Sequence, residues 1–140
     1  MIMIKHFHLF VCLVSINMIG CSSGSKDLDV VLKKDNLCFF TNDKKSNYYD
    51  SNKDLFIYMN RAERKEEVTS TFEKNYKNFP LPIDEGNCLS IPLTSFEQNI
   101  VYTIVLDIKP TYSSNLCLKK INNELTVKKL KAGEVSCPKG

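Results

Sequence analysis

Alternation of apolar and polar residues along the stretch NIVYTIVLDI, residues 99–108, constrains the fold of this chain more than any other feature. Side chains alternate between the two faces of a β-strand. Five apolar residues therefore share one face: Ile100, Tyr102, Ile104, Leu106 and Ile108. Shorter segments of similar character lie at 28–33, 36–41, 55–60, 67–73, 88–91, 115–121 and 124–131. With no convincing helical period, the sequence predicts an all-β chain of about eight short strands.

The segments between these strands indicate how the strands are connected. Asn122-Asn123 separates the last two strands and suits the positive φ angles of a type I′ hairpin turn. Residues 41–54 are polar and predict a long loop, whereas 74–86 holds Pro80, Pro82 and Gly86 and cannot form a central strand. One helical turn is expected at 92–98.

The predicted strands favour an antiparallel β-sandwich, either immunoglobulin-like or transthyretin-like. Phe96 precedes Tyr102 by six residues at the entrance to the strongest strand. This spacing resembles a tyrosine corner, in which the Tyr hydroxyl bonds to backbone a few residues upstream. A small closed β-barrel is the alternative, because period-two patterning alone does not separate the two architectures.

The first twenty residues have the character of a bacterial lipoprotein signal peptide. Lys5 supplies positive charge, and an apolar run of about 13 residues follows, which is the length of a signal core and too short for a membrane span. Met18-Ile19-Gly20-Cys21 resembles a lipobox, which predicts acylation of Cys21 and attachment to a membrane through lipid. An ordinary secretory signal is the alternative. The expected organisation is a signal at 1–20, a lipidated Cys with a flexible tether at 21–27, and one sandwich domain at 28–140.

Four cysteines remain after Cys12 and Cys21 are set aside: Cys38, Cys88, Cys117 and Cys137. An even number in an exported chain predicts two disulfides, with three possible connectivities. We favour Cys38–Cys88 and Cys117–Cys137, because the second would hold the C-terminal tail. The spacing lacks any Cys-x-x-Cys pair, so no zinc or other metal site is expected.

The composition excludes several chemistries. Both histidines, His6 and His8, lie in the predicted signal, and the chain has no Trp. A His general base, a Ser-His or Cys-His pair and a His-containing metal site are therefore excluded from the mature chain. No carboxylate has an apolar setting, and a net charge of +3 gives no nucleic-acid footprint. We expect a protein that is not an enzyme and needs no cofactor.

Two segments are candidates for contact with a protein partner. Phe79, Leu81 and Ile83 place apolar side chains on a predicted loop, where they either form an interface or fold back over an edge of the sandwich. Tyr48 and Tyr49 lie in the polar loop, and Tyr is enriched at binding hot spots, although loop packing would serve equally well.

A family resemblance links these features to a function. Asn36, Cys38 and Phe39, followed by Cys88 and Tyr102, resemble the pattern of small enterobacterial-type lipoproteins described as type VI secretion immunity lipoproteins of the periplasm. The resemblance spans residues 18–108, and its Cys88-to-Pro92 spacing is one residue longer than usual. It implies a non-catalytic immunity protein that binds a toxin or effector.

The lipobox and the family resemblance together predict the cellular location. They imply a protein of the bacterial envelope that is lipid-anchored and faces the periplasm. Ser22, next to Cys21, is compatible with sorting to the outer membrane. A structural or assembly lipoprotein of the envelope is the alternative function, because it would share all of these general features.

Overall fold

The fold is seen in a computed structural model that describes residues 24–62 and 70–139. The predicted signal peptide and Cys21 lie outside the described residues, as does most of the charged segment at 61–67. Within the part of the chain that is described, no helix is long and apolar enough to cross a membrane.

Nine strands form two sheets in this part of the chain. The strands are β1 (Lys26–Asp27), β2 (Asp29–Lys33), β3 (Asn36–Phe40), β4 (Leu55–Arg61), β5 (Phe72–Tyr76), β6 (Leu89–Pro92), β7 (Val101–Asp107), β8 (Tyr112–Ile121) and β9 (Glu124–Leu130). Two short 3₁₀ turns, Glu85–Asn87 and Leu93–Ser95, flank β6. The second turn lies where the sequence predicts a helical turn.

The larger sheet has the order β1-β8-β7-β4-β5, and β9 also pairs with β8. The smaller sheet has the order β2-β3-β6. All pairs are antiparallel except β1 with β8. No strand pairing joins the two sheets across residues 24–62 and 70–139, so the predicted sandwich is confirmed and the alternative closed barrel is wrong.

The core lies between the two sheets. In β7, the predicted apolar face is confirmed, since Tyr102, Ile104, Leu106 and the following Ile108 are at most 1% exposed. β4 adds Leu55, Ile57 and Met59 from alternate positions. The smaller sheet covers them with four residues: Leu37, Phe39, Leu89 and Ile91. Burial of these side chains is the main favourable term in folding.

Two local features follow the sequence expectations closely. The hydroxyl of Tyr102 accepts a hydrogen bond from the backbone N–H of Glu97 at 2.9 Å, and the Phe96 ring meets the Tyr102 ring edge-on at 5.2 Å. The tyrosine corner is therefore present. Asn122 and Asn123 both have positive φ, 50° and 69°, as a type I′ turn requires.

Three strands, β5, β8 and β1, differ most from the sequence expectations. The strand predicted at 67–73 is β5 at Phe72–Tyr76, because Phe72 and Tyr76, four residues apart, are the side chains that pack onto the core. β8 begins at Tyr112 rather than at Asn115. The sequence assigns Lys26–Asp27 to the flexible tether, but these residues form β1. The N–H of Lys26 donates to the carbonyl of Thr111, just before β8, and the N–H of Leu28 donates to the carbonyl of Ser113 in β8.

Both expected disulfides are formed, with the favoured pairing. Cys38–Cys88 joins β3 to the residue before β6 and closes a sequence separation of 50 residues. Cys117–Cys137 joins β8 to the C-terminal tail across 20 residues. The tail is also held by the Lys119 ammonium, which donates to the carbonyl of Pro138.

Candidate binding surface

One end of the sandwich brings together four segments that are distant in sequence. β7 ends and β8 begins here, since Leu106 pairs with Tyr112. β1 enters the fold here beside Tyr112, and the loop at 41–54 bridges to Lys109. The segment after β5, residues 77–81, leaves from the same end, because Tyr76 pairs with Leu55.

The loop at 41–54 is fastened to this end by backbone hydrogen bonds. The N–H of Asn47 donates to the carbonyl of Lys109 at 2.8 Å, and the N–H of Lys109 donates back to Asn47 at 2.9 Å. Ser46, 3% exposed, donates its hydroxyl to the carbonyl of Asp43 at 2.8 Å. A loop with these bonds has already lost much of its conformational freedom before any partner binds.

Asp43 connects three segments through its carboxylate. It accepts hydrogen bonds from the Lys26 ammonium at 2.8 Å, the Tyr112 hydroxyl at 2.7 Å and the backbone N–H of Lys45 at 2.9 Å. These donors, Lys26 first, hold the pKa of Asp43 far below its ordinary value. Burial, together with the bond to Asp43, raises the pKa of Tyr112. The carboxylate is therefore a structural anion with no proton to transfer near neutral pH.

The two predicted tyrosines have different environments. Tyr48 is half-buried and packs against the core, and burial raises the pKa of its hydroxyl. Tyr49 is 59% exposed, with its hydroxyl 3.3 Å from the Thr111 hydroxyl. Of this pair, Tyr49 presents the larger area to a partner.

The three predicted apolar contact residues lie against the body of the protein. Phe79 and Leu81 are partly buried on the core, and the Phe79 ring lies 4.8 Å from the ring of Tyr76. Ile83 is half-buried, and its carbonyl accepts from the N–H of Asn42 at 3.0 Å. The segment thus follows the alternative weighed from sequence, in which it folds back over the sandwich.

Two grooves share Tyr48 and Lys53 in their linings. The larger, of 530 Å³, runs between the loop and Lys109-Pro110, and its lining includes Lys45, Lys53 and Asp50. The smaller, of 350 Å³, is lined by Tyr48, Lys53 and residues 78–81. We call the residues that line the two grooves, together with Tyr49, the Tyr48 surface. They are Lys45, residues 47–51, Lys53, residues 78–81 and residues 109–110. The structure brings Tyr48, Phe79 and Leu81 together here, while Ile83 lies outside the two linings.

Comparison with protein families gives one relationship. A family model described as a domain of unknown function, DUF7480, matches residues 25–130, which include all nine strands. The chain belongs to the DUF7480 family. Neither a comparison with curated proteins nor one with solved structures gave a match. The DUF7480 match begins just before β1 and ends at the last residue of β9, so Cys137 lies beyond it.

The Tyr48 surface of this DUF7480 domain exposes charged and polar groups. Within the described residues, no three His, Cys, Asp or Glu side chains are grouped as metal ligands. The shifted carboxylate, Asp43, has its pKa lowered, which is the direction opposite to that of a general acid. Lysine ammonium groups, an exposed tyrosine and two grooves are what this end of the domain presents to a partner.

Sequence reasoning missed the residues that build this surface. Lys26, Asp43 and Lys109 were not candidates, because each is a charged residue in a polar stretch without a motif. Their roles depend on pairing across 17 residues for Lys26 with Asp43 and 69 residues for Asp43 with Tyr112. No local signal marks partners at such separations in the DUF7480 chain.

Proposed function

We propose that this protein is a lipid-anchored envelope protein that faces the periplasm and neutralises a toxin delivered by type VI secretion. It acts by binding the toxin and not by turning over a substrate. The observation that carries the proposal is the pair of disulfides in the sandwich, Cys38–Cys88 and Cys117–Cys137. Such bonds persist in oxidising compartments such as the periplasm, where a toxin of this kind would be met.

A disulfide-bonded sandwich suits an inhibitor because its segments are ordered before it binds. An inhibitor that blocks a toxin by covering it loses affinity when its own segments must be ordered on binding. Here the two disulfides, the tyrosine corner and the Asp43 hydrogen bonds order the chain before contact. The lipobox supports a location in the cell envelope, and the resemblance to immunity lipoproteins supports a toxin as the partner.

The test begins with the gene adjacent to the one that encodes this protein. Its product, directed to the periplasm of a cell lacking this protein, is expected to kill, and co-expression of the full lipoprotein is expected to protect. A matched control is the same chain without residues 1–20, which stays in the cytoplasm and should not protect. Cys21→Ser should lose lipid labelling and move out of the membrane fraction.

Stoichiometry separates this proposal from its competitors. Protection should require roughly one lipoprotein for each toxin molecule, because a binding inhibitor is occupied once bound. A complex of the two purified proteins should elute as one species in size-exclusion chromatography. Protection at strongly substoichiometric levels would instead indicate catalysis, and the absence of any complex would favour the structural envelope role.

A further inference from the structure

The chain enters the fold at the end that carries the Tyr48 surface. The N–H of Lys26 donates to the carbonyl of Thr111 at 2.9 Å, and the hydroxyl of the same Thr111 lies 3.3 Å from the hydroxyl of Tyr49. β1 runs parallel to β8, with Lys26 opposite Tyr112. The described residues before Lys26, 24 and 25, therefore lie at the end where β8 begins and not at the Asn122-Asn123 end.

The connection to the predicted lipid anchor is short. Cys21 precedes Lys26 by five residues. Even a fully extended chain of this length reaches at most ~18 Å. β8, with 10 residues, extends ~30 Å from its first to its last residue. An anchor at Cys21 would therefore lie no farther than ~18 Å from Lys26, at the end that carries the Tyr48 surface, whereas the hairpin turn is ~30 Å from this end along β8.

We propose that the Tyr48 surface rests on the membrane, and that its occupant is a lipid surface with anionic headgroups and not a protein. The inference rests on the proposed anchor at Cys21. It leaves the far end and the outer faces of the sheets for the toxin.

The side chains at this end suit a lipid surface. Lys44, Lys45, Lys53 and Lys109 are exposed. The charge of Asp43 is compensated by Lys26 at 2.8 Å, which leaves Asp50 as the exposed carboxylate in the larger groove. Lysines are attracted to an anionic bilayer when they lie within about one Debye length of it, ~8 Å at physiological salt. A short tether permits this approach. Tyr49, 59% exposed, is of the residue type enriched at the headgroup level.

The absence of tryptophan from the chain gives a direct test of orientation. The lipidated protein carrying Tyr49→Trp is placed in vesicles of phosphatidylcholine and phosphatidylglycerol with dansyl-labelled headgroups. The matched control is Thr94→Trp, an exposed position in the 3₁₀ turn that follows β6. The turn is bonded to the β2–β3 connection, at the far end of the smaller sheet, through the N–H of Leu93 and the carbonyl of Asp35.

Energy transfer to the headgroups should be several-fold stronger from position 49 than from position 94. Equal transfer from the two positions would overturn the inference. Absence of lipid on the purified chain would overturn it together with the anchor. Circular dichroism and thermal unfolding of both variants check that each retains the fold.

A second experiment distinguishes lipid from protein as the occupant. The triple variant Lys45→Gln, Lys53→Gln and Lys109→Gln, made in the Tyr49→Trp protein, should reduce the transfer from position 49, and high salt should reduce it in the protein that keeps these lysines. The matched control changes three exposed lysines away from this surface: Lys34→Gln, Lys120→Gln and Lys128→Gln. It should leave the transfer unchanged.

Toxin protection is measured on the same variants. Protection by the Tyr48-surface variant with reduced transfer supports the inference. A variant that loses the toxin complex while its transfer is unchanged would assign this surface to the protein partner and overturn the inference, with the proposed function intact. Full membrane orientation in a protein that binds no toxin would overturn the proposed function alone.

Discussion

The ammonium of Lys26 lies 2.8 Å from a carboxylate oxygen of Asp43, and the same oxygen accepts the hydroxyl of Tyr112 at 2.7 Å. This contact joins the first strand, the loop at 41–54 and the start of β8. Together with the backbone bonds between Asn47 and Lys109, it holds the loop of the Tyr48 surface in place.

Asp43→Asn should destabilise the protein and flatten its response to acid. Because the pKa of Asp43 is lowered in the folded state, its contribution is complete above the ordinary carboxyl pKa of about 4 and is lost as the pH falls through the lower folded value. Urea unfolding at pH 7, 4 and 3 should show a smaller pH effect in this variant than in the parent. Asp50→Asn, in the same loop, is the control and should keep the parent's pH response.

Removal of either disulfide should lower the free energy of unfolding by an amount that increases with the length of the loop that the disulfide closes. The chain-entropy relation gives about 3 kcal/mol for the 20-residue separation of Cys117–Cys137 and about 4 kcal/mol for the 50-residue separation of Cys38–Cys88. Paired Cys→Ser variants, unfolded in urea, measure both. A larger loss for the shorter loop would contradict this reasoning. Alkylation of the unreduced parent should modify no cysteine at these four positions.

Tyr102→Phe should lower the free energy of unfolding by roughly 1–2 kcal/mol. The substitution removes the acceptor of the Glu97 N–H while the ring stays in a site that is 1% exposed. The control is Tyr58→Phe. The hydroxyl of Tyr58 has no hydrogen-bond partner in the described residues, so this substitution should change the free energy of unfolding little. If the two substitutions changed the free energy of unfolding equally, the tyrosine corner would not be a source of stability.

Asn123→Ala should destabilise the last hairpin, and Asn123→Gly should not. Asn123 has a φ of 69°, a conformation that costs an L-residue with a Cβ roughly 1 kcal/mol more than it costs glycine. Thermal unfolding of the two variants provides the comparison. Lys120→Ala, an exposed change two residues before the turn, should alter the melting temperature less than Asn123→Ala does.

The sequence by itself determined the elements whose signals are local. Alternation predicted the strand β7 and its buried face, because one side of a strand faces the core and the other faces water, and the two sides require different side chains. A shorter segment of similar character predicted β4. The paired asparagines at 122–123 marked a turn, since few residues adopt positive φ. The six-residue spacing of Phe96 and Tyr102 marked the corner, because both ends of that interaction lie in one short stretch.

Only the tertiary structure decided which segments share an edge or an end. β5 lies at 72–76 and not at 67–73 because its pairing with Met59 and Leu55 in β4 sets the register, and an edge strand carries a weak pattern of its own. Lys26–Asp27 forms β1 because β8 offers unpaired backbone groups beyond the end of β9. Tertiary structure also brings Lys26 and Tyr112 to Asp43, and Lys109 to Asn47. These contacts depend on how segments that are distant in sequence align in the fold. No interaction between neighbouring residues favours that alignment, so no local sequence pattern predicts it.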